Sequence, residues 1–121
     1  AAERGLQHAG WATIVTARTA IEARVMVTDR VRPVTVGSHP PRTVHQVGLP
    51  YHWGRNGIAR GDAANELVSM VLDLNVHIAE YKVLTCDVRP GRRPRGRDLT
   101  AYVEGYRRRA GVLHEERHPG T

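Results

Sequence analysis

The sequence predicts a mainly β domain with one or two short helices. Three observations carry that expectation. Apolar side chains alternate with others over residues 21–28, as a half-buried strand requires. Short β-branched runs recur along the chain, each cut by Gly, Pro or a polar cluster, and none has the length of a membrane span. Helical spacing of apolar residues is confined to two stretches, 63–72 and 98–106.

Taken in order, residues 2–10 read as a short helical turn ended at Gly5 or Gly10. Residues 11–17 suit a strand, and Arg18, Thr19 and Ala20 fit a tight hairpin into residues 21–28. In that second strand Ile21, Ala23, Val25 and Val27 share one face, and Glu22, Arg24, Met26 and Thr28 share the other. Residues 31–36 form a further strand whose Pro33 makes it an edge or an entry. A surface loop at 37–41 leads to a strand at 43–49. Asp62 is placed as the N-cap of a helix, with Ala63, Leu67 and Val71 and, one position round, Ala64, Val68 and Leu72 as its apolar stripe. Residues 80–88 read as a last strand, in which Cys86 is a small apolar filler. Pro90, Gly91, Pro94 and Gly96 interrupt regular structure. A short amphipathic helix then starts at Asp98, with Leu99, Tyr102, Val103 and Tyr106 on one face, and ends at Arg107, Arg108 and Arg109, a charge sign suited to a helix C-terminus.

Composition narrows the class. With 121 residues, a quarter of them charged and 40% hydrophobic, the chain can bury a real core, and global disorder is not expected. One cysteine excludes an internal disulfide and a Cys-rich metal site. The excess of positive charge is local. Residues 1–88 carry nine basic and eight acidic side chains, whereas residues 89–121 carry nine Arg and four acids. The division expected is a globular region at 1–88 and an Arg-rich C-terminal extension at 89–121.

The least generic stretch runs over residues 44–82. Gly48 and Gly54 flank Leu49-Pro50-Tyr51-His52-Trp53, and Gly57 and Gly61 follow. Glycine at this density marks backbone that turns sharply or lets another group approach closely. Tyr51, His52 and Trp53 are either core fillers of a tight loop or flat, hydrogen-bonding contacts for a planar ligand. Asn65 offers a donor and an acceptor to a heterocycle edge, or to a backbone group near its own helix start. Lys82, the only lysine, is a compact cation for an anionic group, or a solvated strand residue.

In order along the chain stand Ala2-Glu3-Arg4-Gly5-Leu6 ahead of Gly10, then Ile21-Glu22-Ala23, then Val27-Thr28-x-Arg30-Val31-x-Pro33. Gly48-Leu49-Pro50-x-His52-Trp53-Gly54, Ala64-Asn65-x-Leu67 and Glu80-Tyr81-Lys82 follow. Residues 2–88 thereby resemble the C-terminal molybdopterin dinucleotide-binding domain of the dimethyl sulfoxide reductase superfamily, most of all that of formate dehydrogenase major (alpha) subunits. The resemblance implies a six-stranded double-psi β-barrel. It implies a role in holding bis(molybdopterin guanine dinucleotide), with molybdenum or tungsten, in an enzyme that oxidises formate to carbon dioxide. It implies that Tyr51, His52, Trp53, Asn65 and Lys82 contact the cofactor. The metal-ligating Cys or selenocysteine and the iron–sulfur cluster are expected upstream in a parent catalytic subunit, so this chain alone carries no catalytic ligand. An iron–sulfur electron-transfer subunit is the partner implied, and the compartment is left open. Two positions depart from the family pattern: Gly10-Trp11 replaces Gly-Asp, and Thr19 replaces a Gly, both at the hairpin. The family domain also begins with a further strand ahead of the Ala-Glu-Arg-Gly turn, so the barrel is expected to be N-terminally truncated here.

Two other patterns were weighed. His114-Glu115-Glu116-Arg117-His118 matches the zinc-protease signature in form, but Pro119 disfavours helix at His118 and no third ligand follows. The run Arg89-Pro90-Gly91-Arg92-Arg93-Pro94-Arg95-Gly96-Arg97 is the alternative to a cofactor domain: a basic arm for nucleic acid or a partner protein. Few stacking aromatics lie near it, so a docking tail for the iron–sulfur subunit, or a solvated extension, is the preferred expectation over nucleic acid.

Overall fold

The computed structural model of the chain describes residues 1–50, 61–68, 75 and 84–111. A three-stranded antiparallel sheet lies at its centre, built from β1 (Trp11–Val15), β2 (Ala20–Arg24) and β5 (Asp87–Pro90) in the order β2-β1-β5. Two short strands, β3 (Val34–Val36) and β4 (Arg42–Val44), pair antiparallel as a separate exposed ribbon. One α-helix, α1 (Arg97–Arg109), and two 3₁₀ turns, Ala2–Arg4 and Ala64–Leu67, complete the regular structure among the described residues. The architecture is mainly β with a single α-helix, and no barrel closes among the described residues.

The predicted hairpin forms, with Ile14 opposite Ile21 and Val15 opposite Ala20. Thr16 N–H donates to the Thr19 carbonyl at 2.9 Å and closes the turn. The second strand ends at Arg24 rather than at residue 28. Opposite it the chain bends at Gln7–Gly10, where Gly10 N–H donates to the Gln7 carbonyl and Ala9 takes a φ of 62°. Two further bonds tie Val25 to Ala9 and Gly10, and beyond them no ladder partner remains in register. Val27, expected on the buried face, is therefore 46% exposed.

Because paired residues share a face, the central sheet has two distinct sides. One is apolar: Ile14 and Ile21 pack with Leu67, and Ala23, Leu49, Cys86 and Val88 close around them. The other carries Trp11, Thr13, Val15, Ala20, Glu22 and Arg24, and α1 lies over part of it. There Val103 packs on Val15 and Ala20, with Leu99, Tyr102 and Tyr106 alongside. The stripe predicted for this helix is the stripe that docks. Gly96, at φ 60°, supplies the left-handed backbone that turns the chain into the helix. Asp98 in the first turn and Arg107–Arg109 in the last suit the helix dipole.

Three expectations change. The helix placed from Asp62 is a single 3₁₀ turn capped by the backbone of Ala63, and Val68 is already extended. The Leu67 and Val68 carbonyls are taken by Thr16 Oγ1 and Arg18, so tertiary bonds replace the i→i+4 ladder there. The strand placed at 43–49 is only Arg42–Val44; of the strand placed at 80–88, residues 80–83 lie outside the described residues, 84–86 are irregular, and the last described strand is Asp87–Pro90. Its pairing with β1 is completed by Gly91 N–H, which donates to the Trp11 carbonyl at 2.9 Å. Among the described residues no helix is long and apolar enough to cross a membrane.

Candidate cofactor site

Of the five residues singled out as cofactor contacts, Tyr51, His52, Trp53 and Lys82 lie outside the described residues. Asn65 is described. It is exposed, the second residue of the turn Ala64–Leu67, and Leu67 two positions on is buried in the apolar core at 2% exposure. The Ala-Asn-x-Leu spacing thus sends Leu inward and leaves Asn at the surface.

Few bonds internal to this turn hold it: Glu66 N–H donates to the Ala63 carbonyl at 3.1 Å, and Val68 N–H to the Asn65 carbonyl at 3.2 Å. So short a piece has little intrinsic stability and takes its position from outside. At its C-terminal end the buried Thr16 Oγ1 donates to the Leu67 carbonyl at 2.8 Å, and Arg18 donates to the Val68 carbonyl. At its N-terminal end Asp62 is the anchor. Its Oδ2 accepts from Glu22 N–H, on the edge of β2 away from β1, at 3.0 Å, and from Arg93 Nε at 2.8 Å. Asp62 is therefore a clamp between elements, not the helix cap predicted for it.

The arginine segment, expected as a solvated or docking tail, folds back on the sheet. Glu22, placed by alternation on the polar side of its strand, is 9% exposed. Its carboxylate accepts from Arg92 Nε at 3.2 Å and Nη2 at 2.7 Å, from the Arg93 backbone N–H at 3.1 Å and from Arg95 Nη2 at 2.9 Å. A buried carboxylate persists as an anion only with such partners. The Arg92 hydrogen bond, helped by Arg93 N–H and the charges of Arg92 and Arg95, outweighs burial and holds the Glu22 carboxyl below its ordinary 4.5. At Asp62, burial pushes the carboxyl up, but the Arg93 and Glu22 hydrogen bonds and the nearby arginine charges leave it below the ordinary 3.8. Asp87 shows the same balance: burial raises it, and Arg89, Arg4 and the Val88 N–H bring it lower. Three of the arginines available to an electrostatic arm are thus committed to internal carboxylates.

Trp11, one of the departures from the family pattern, has a place in this arrangement. The guanidinium carbons of Arg24 and Arg92 lie 4.4 and 4.3 Å from its ring centroid. Both distances are within cation–π range, so the indole is a contact shared by two cations. Burial pushes the Cys86 thiol up, as befits a packing residue with little thiolate character. Sequence reasoning missed Glu22, Asp62 and Arg93 as a network. The signal was there: Glu22 is the one acid in the hairpin of residues 11–24, in a chain whose excess arginines lacked local counterions.

Comparison with known proteins decides the family. The family described as Molydopterin dinucleotide binding domain matches residues 1–85. This chain belongs to that family. It is 36% identical over 89 residues to the major subunit of the nitrate-inducible formate dehydrogenase of Escherichia coli, covering 73% of this chain and 8% of that protein. It is equally 36% identical over 89 residues to formate dehydrogenase 2 subunit alpha (cytochrome c-553) of Nitratidesulfovibrio vulgaris, covering 74% of this chain and 8% of the relative. The formate dehydrogenase major subunit of Haemophilus influenzae is 29% identical over 92 residues. The chain thus spans less than a tenth of the length of the relatives it matches. No solved structure matches it. Family membership makes this a molybdopterin dinucleotide-binding domain. β5 and α1, together with Arg92, Arg93 and Arg95, lie beyond the matched residues.

Proposed function

We propose that this chain is the cofactor-holding domain of a molybdenum- or tungsten-dependent oxidoreductase most like formate dehydrogenase, built on a double-psi β-barrel. In this reading the parent catalytic subunit oxidises formate to carbon dioxide and passes electrons to iron–sulfur centres upstream and on a partner subunit. The bis(molybdopterin guanine dinucleotide) cofactor, when bound, supplies the redox centre. The residues of this chain bind and orient it. Asn65 hydrogen-bonds a heterocycle edge, Lys82 contacts an anionic or carbonyl group, and Tyr51, His52 and Trp53 lie against the cofactor.

The observation that carries this reading is the Asn65 turn. Its Leu is locked in the core and both its ends are tied to the sheet, so an exposed side-chain amide is presented on a fixed support. An amide with one donor and one acceptor suits a pterin or guanine edge, which offers the complement of both. The alternative, a basic arm for nucleic acid or a partner protein, is weakened by the pairing of Arg92, Arg93 and Arg95 with Glu22 and Asp62.

Asn65→Ala and Lys82→Ala in the full-length polypeptide test the assignment. Each removes a hydrogen bond worth on the order of 1.5–3 kcal/mol where charge assists it, so retained cofactor should weaken by roughly one to two decades in affinity. Unfolding of the cofactor-free protein should move by less than about 1 kcal/mol. Wild-type cofactor retention in both variants overturns the reading.

A further inference from the structure

We infer that Arg93 is a positioning residue for the cofactor-facing turn, holding Asn65 in place through Asp62. The inference rests on the assignment of Asn65 to the cofactor. It goes beyond family membership, because Arg93 lies outside the matched residues 1–85.

Arg93 sits where three parts of the chain meet. Its backbone N–H donates to Glu22 Oε2 at 3.1 Å, which fixes the segment against the buried carboxylate of β2. Its side chain then reaches Asp62, Nε to Oδ2 at 2.8 Å and Nη2 to Oδ1 at 3.5 Å, a fork on both carboxylate oxygens. The two side chains are 16% and 21% exposed, so water competes for this pair less than for the neighbouring Arg92 and Arg95, which are 56% and 62% exposed. Asp62 Oδ2 also accepts Glu22 N–H, so one carboxylate takes an outward N–H of β2 and receives the arginine. Asn65 follows three residues later. The C-terminal end of its turn is held by Thr16, Arg18 and the burial of Leu67, and the N-terminal end by Asp62. Without Arg93, Asp62 keeps the Glu22 N–H bond alone among the described residues, and the four-residue turn has few bonds of its own to replace the other.

The test uses the full-length polypeptide, wild type, with Arg93→Ala, Arg93→Lys, Asn65→Ala and the Arg93→Ala/Asn65→Ala double variant. Amide exchange at Glu66 and Val68 reads the turn, and exchange at Ile14 and Ile21 reads the fold. The rate of cofactor loss, followed as guanine nucleotide remaining on the chain, reads the site. Arg93→Ala should speed exchange at Glu66 and Val68 about tenfold and leave Ile14 and Ile21 unchanged, the effect of one charge-assisted bond. It should also speed cofactor loss by about the same factor. Arg93→Lys, which keeps the charge without the fork, should recover part of both. The double variant should lose cofactor no faster than Asn65→Ala alone, since a residue acting through Asn65 has nothing left to position. Unchanged exchange at Glu66 and Val68 in Arg93→Ala overturns the inference, and so does a double variant whose loss rate is the product of the singles. Cofactor loss at the wild-type rate in Asn65→Ala, with the turn still loosened by Arg93→Ala, instead overturns the assignment of Asn65 and leaves Arg93 as the anchor of the turn.

Discussion

The two sides of the central sheet are closed by different chemistry. On the first, Ile14, Ile21 and Leu67 meet in an apolar cluster whose buried members fall within the family-matched residues, with Cys86 and Val88 packing on it from just beyond them. On the second, Val103 and its neighbours cover Val15 and Ala20, but beside them a buried Glu22 is closed over by Arg92, Arg93 and Arg95. Among the described residues, the groups packed over Val15, Ala20 and Glu22 come from residues 89–111, after the matched region ends. The contrast is between a side closed by apolar contact and a side closed by a C-terminal helix and a charged network. Apolar contact needs only shape and size, whereas a buried carboxylate needs particular partners at particular distances.

Mutations should separate the two sides by magnitude. The largest effect is expected on the apolar side: Ile21→Ala should destabilise by about 3–4 kcal/mol in urea unfolding, against about 2 kcal/mol for Val103→Ala on the helix-covered side. Equal losses would mean that α1 carries as much of the core as the Leu67 cluster does.

Glu22→Gln comes next. It keeps the shape and removes the charge that three arginines address, and should cost about 1–2 kcal/mol at neutral pH. Its pH dependence sharpens the comparison. The folded-state pKa of Glu22 lies below its ordinary 4.5, so the stabilisation is fully present above 4.5 and is lost as pH falls through the folded value. Wild type should therefore lose stability on acidification below 4.5 more steeply than Glu22→Gln. Parallel curves would remove the carboxylate from the account of this side.

The smallest effect concerns the cation–π contacts of Trp11. Arg24→Ala removes one of its two cations and should cost about 0.5–1 kcal/mol, the size of an exposed cation–π contact. Thermal unfolding resolves that difference, and a loss above about 2 kcal/mol would place Arg24 in the core network instead.

The apolar side was the more legible in sequence, for a physical reason. Period-two alternation identified the hairpin and put Ile21 and Ala23 inward, because burial on that face needs no information beyond local order. The stripe of Leu99, Tyr102, Val103 and Tyr106 identified α1 in the same way. Alternation also put Glu22 on the polar side, correctly, but could not tell solvent from a cover made of arginines seventy residues away. Asp62 misled for a related reason. An Asp before an apolar stripe reads as a cap, yet its carboxylate was claimed by Glu22 N–H and Arg93, and the turn after it stopped at Val68. For the candidate site, Asn65 could be chosen from its motif, but the anchors that fix its turn come from β1, β2 and the arginine segment, which no local pattern joins.

The most direct test of the charged closure is the titration of Glu22 in the intact chain, followed through its carboxyl carbon resonance in wild type and in the Arg92→Gln/Arg95→Gln variant. A midpoint below 4.5 in wild type that moves upward in the variant is the expected result, since burial without cations favours the neutral acid. A wild-type midpoint at or above 4.5, unmoved by the two substitutions, would contradict the closure and return the arginine segment to solvent.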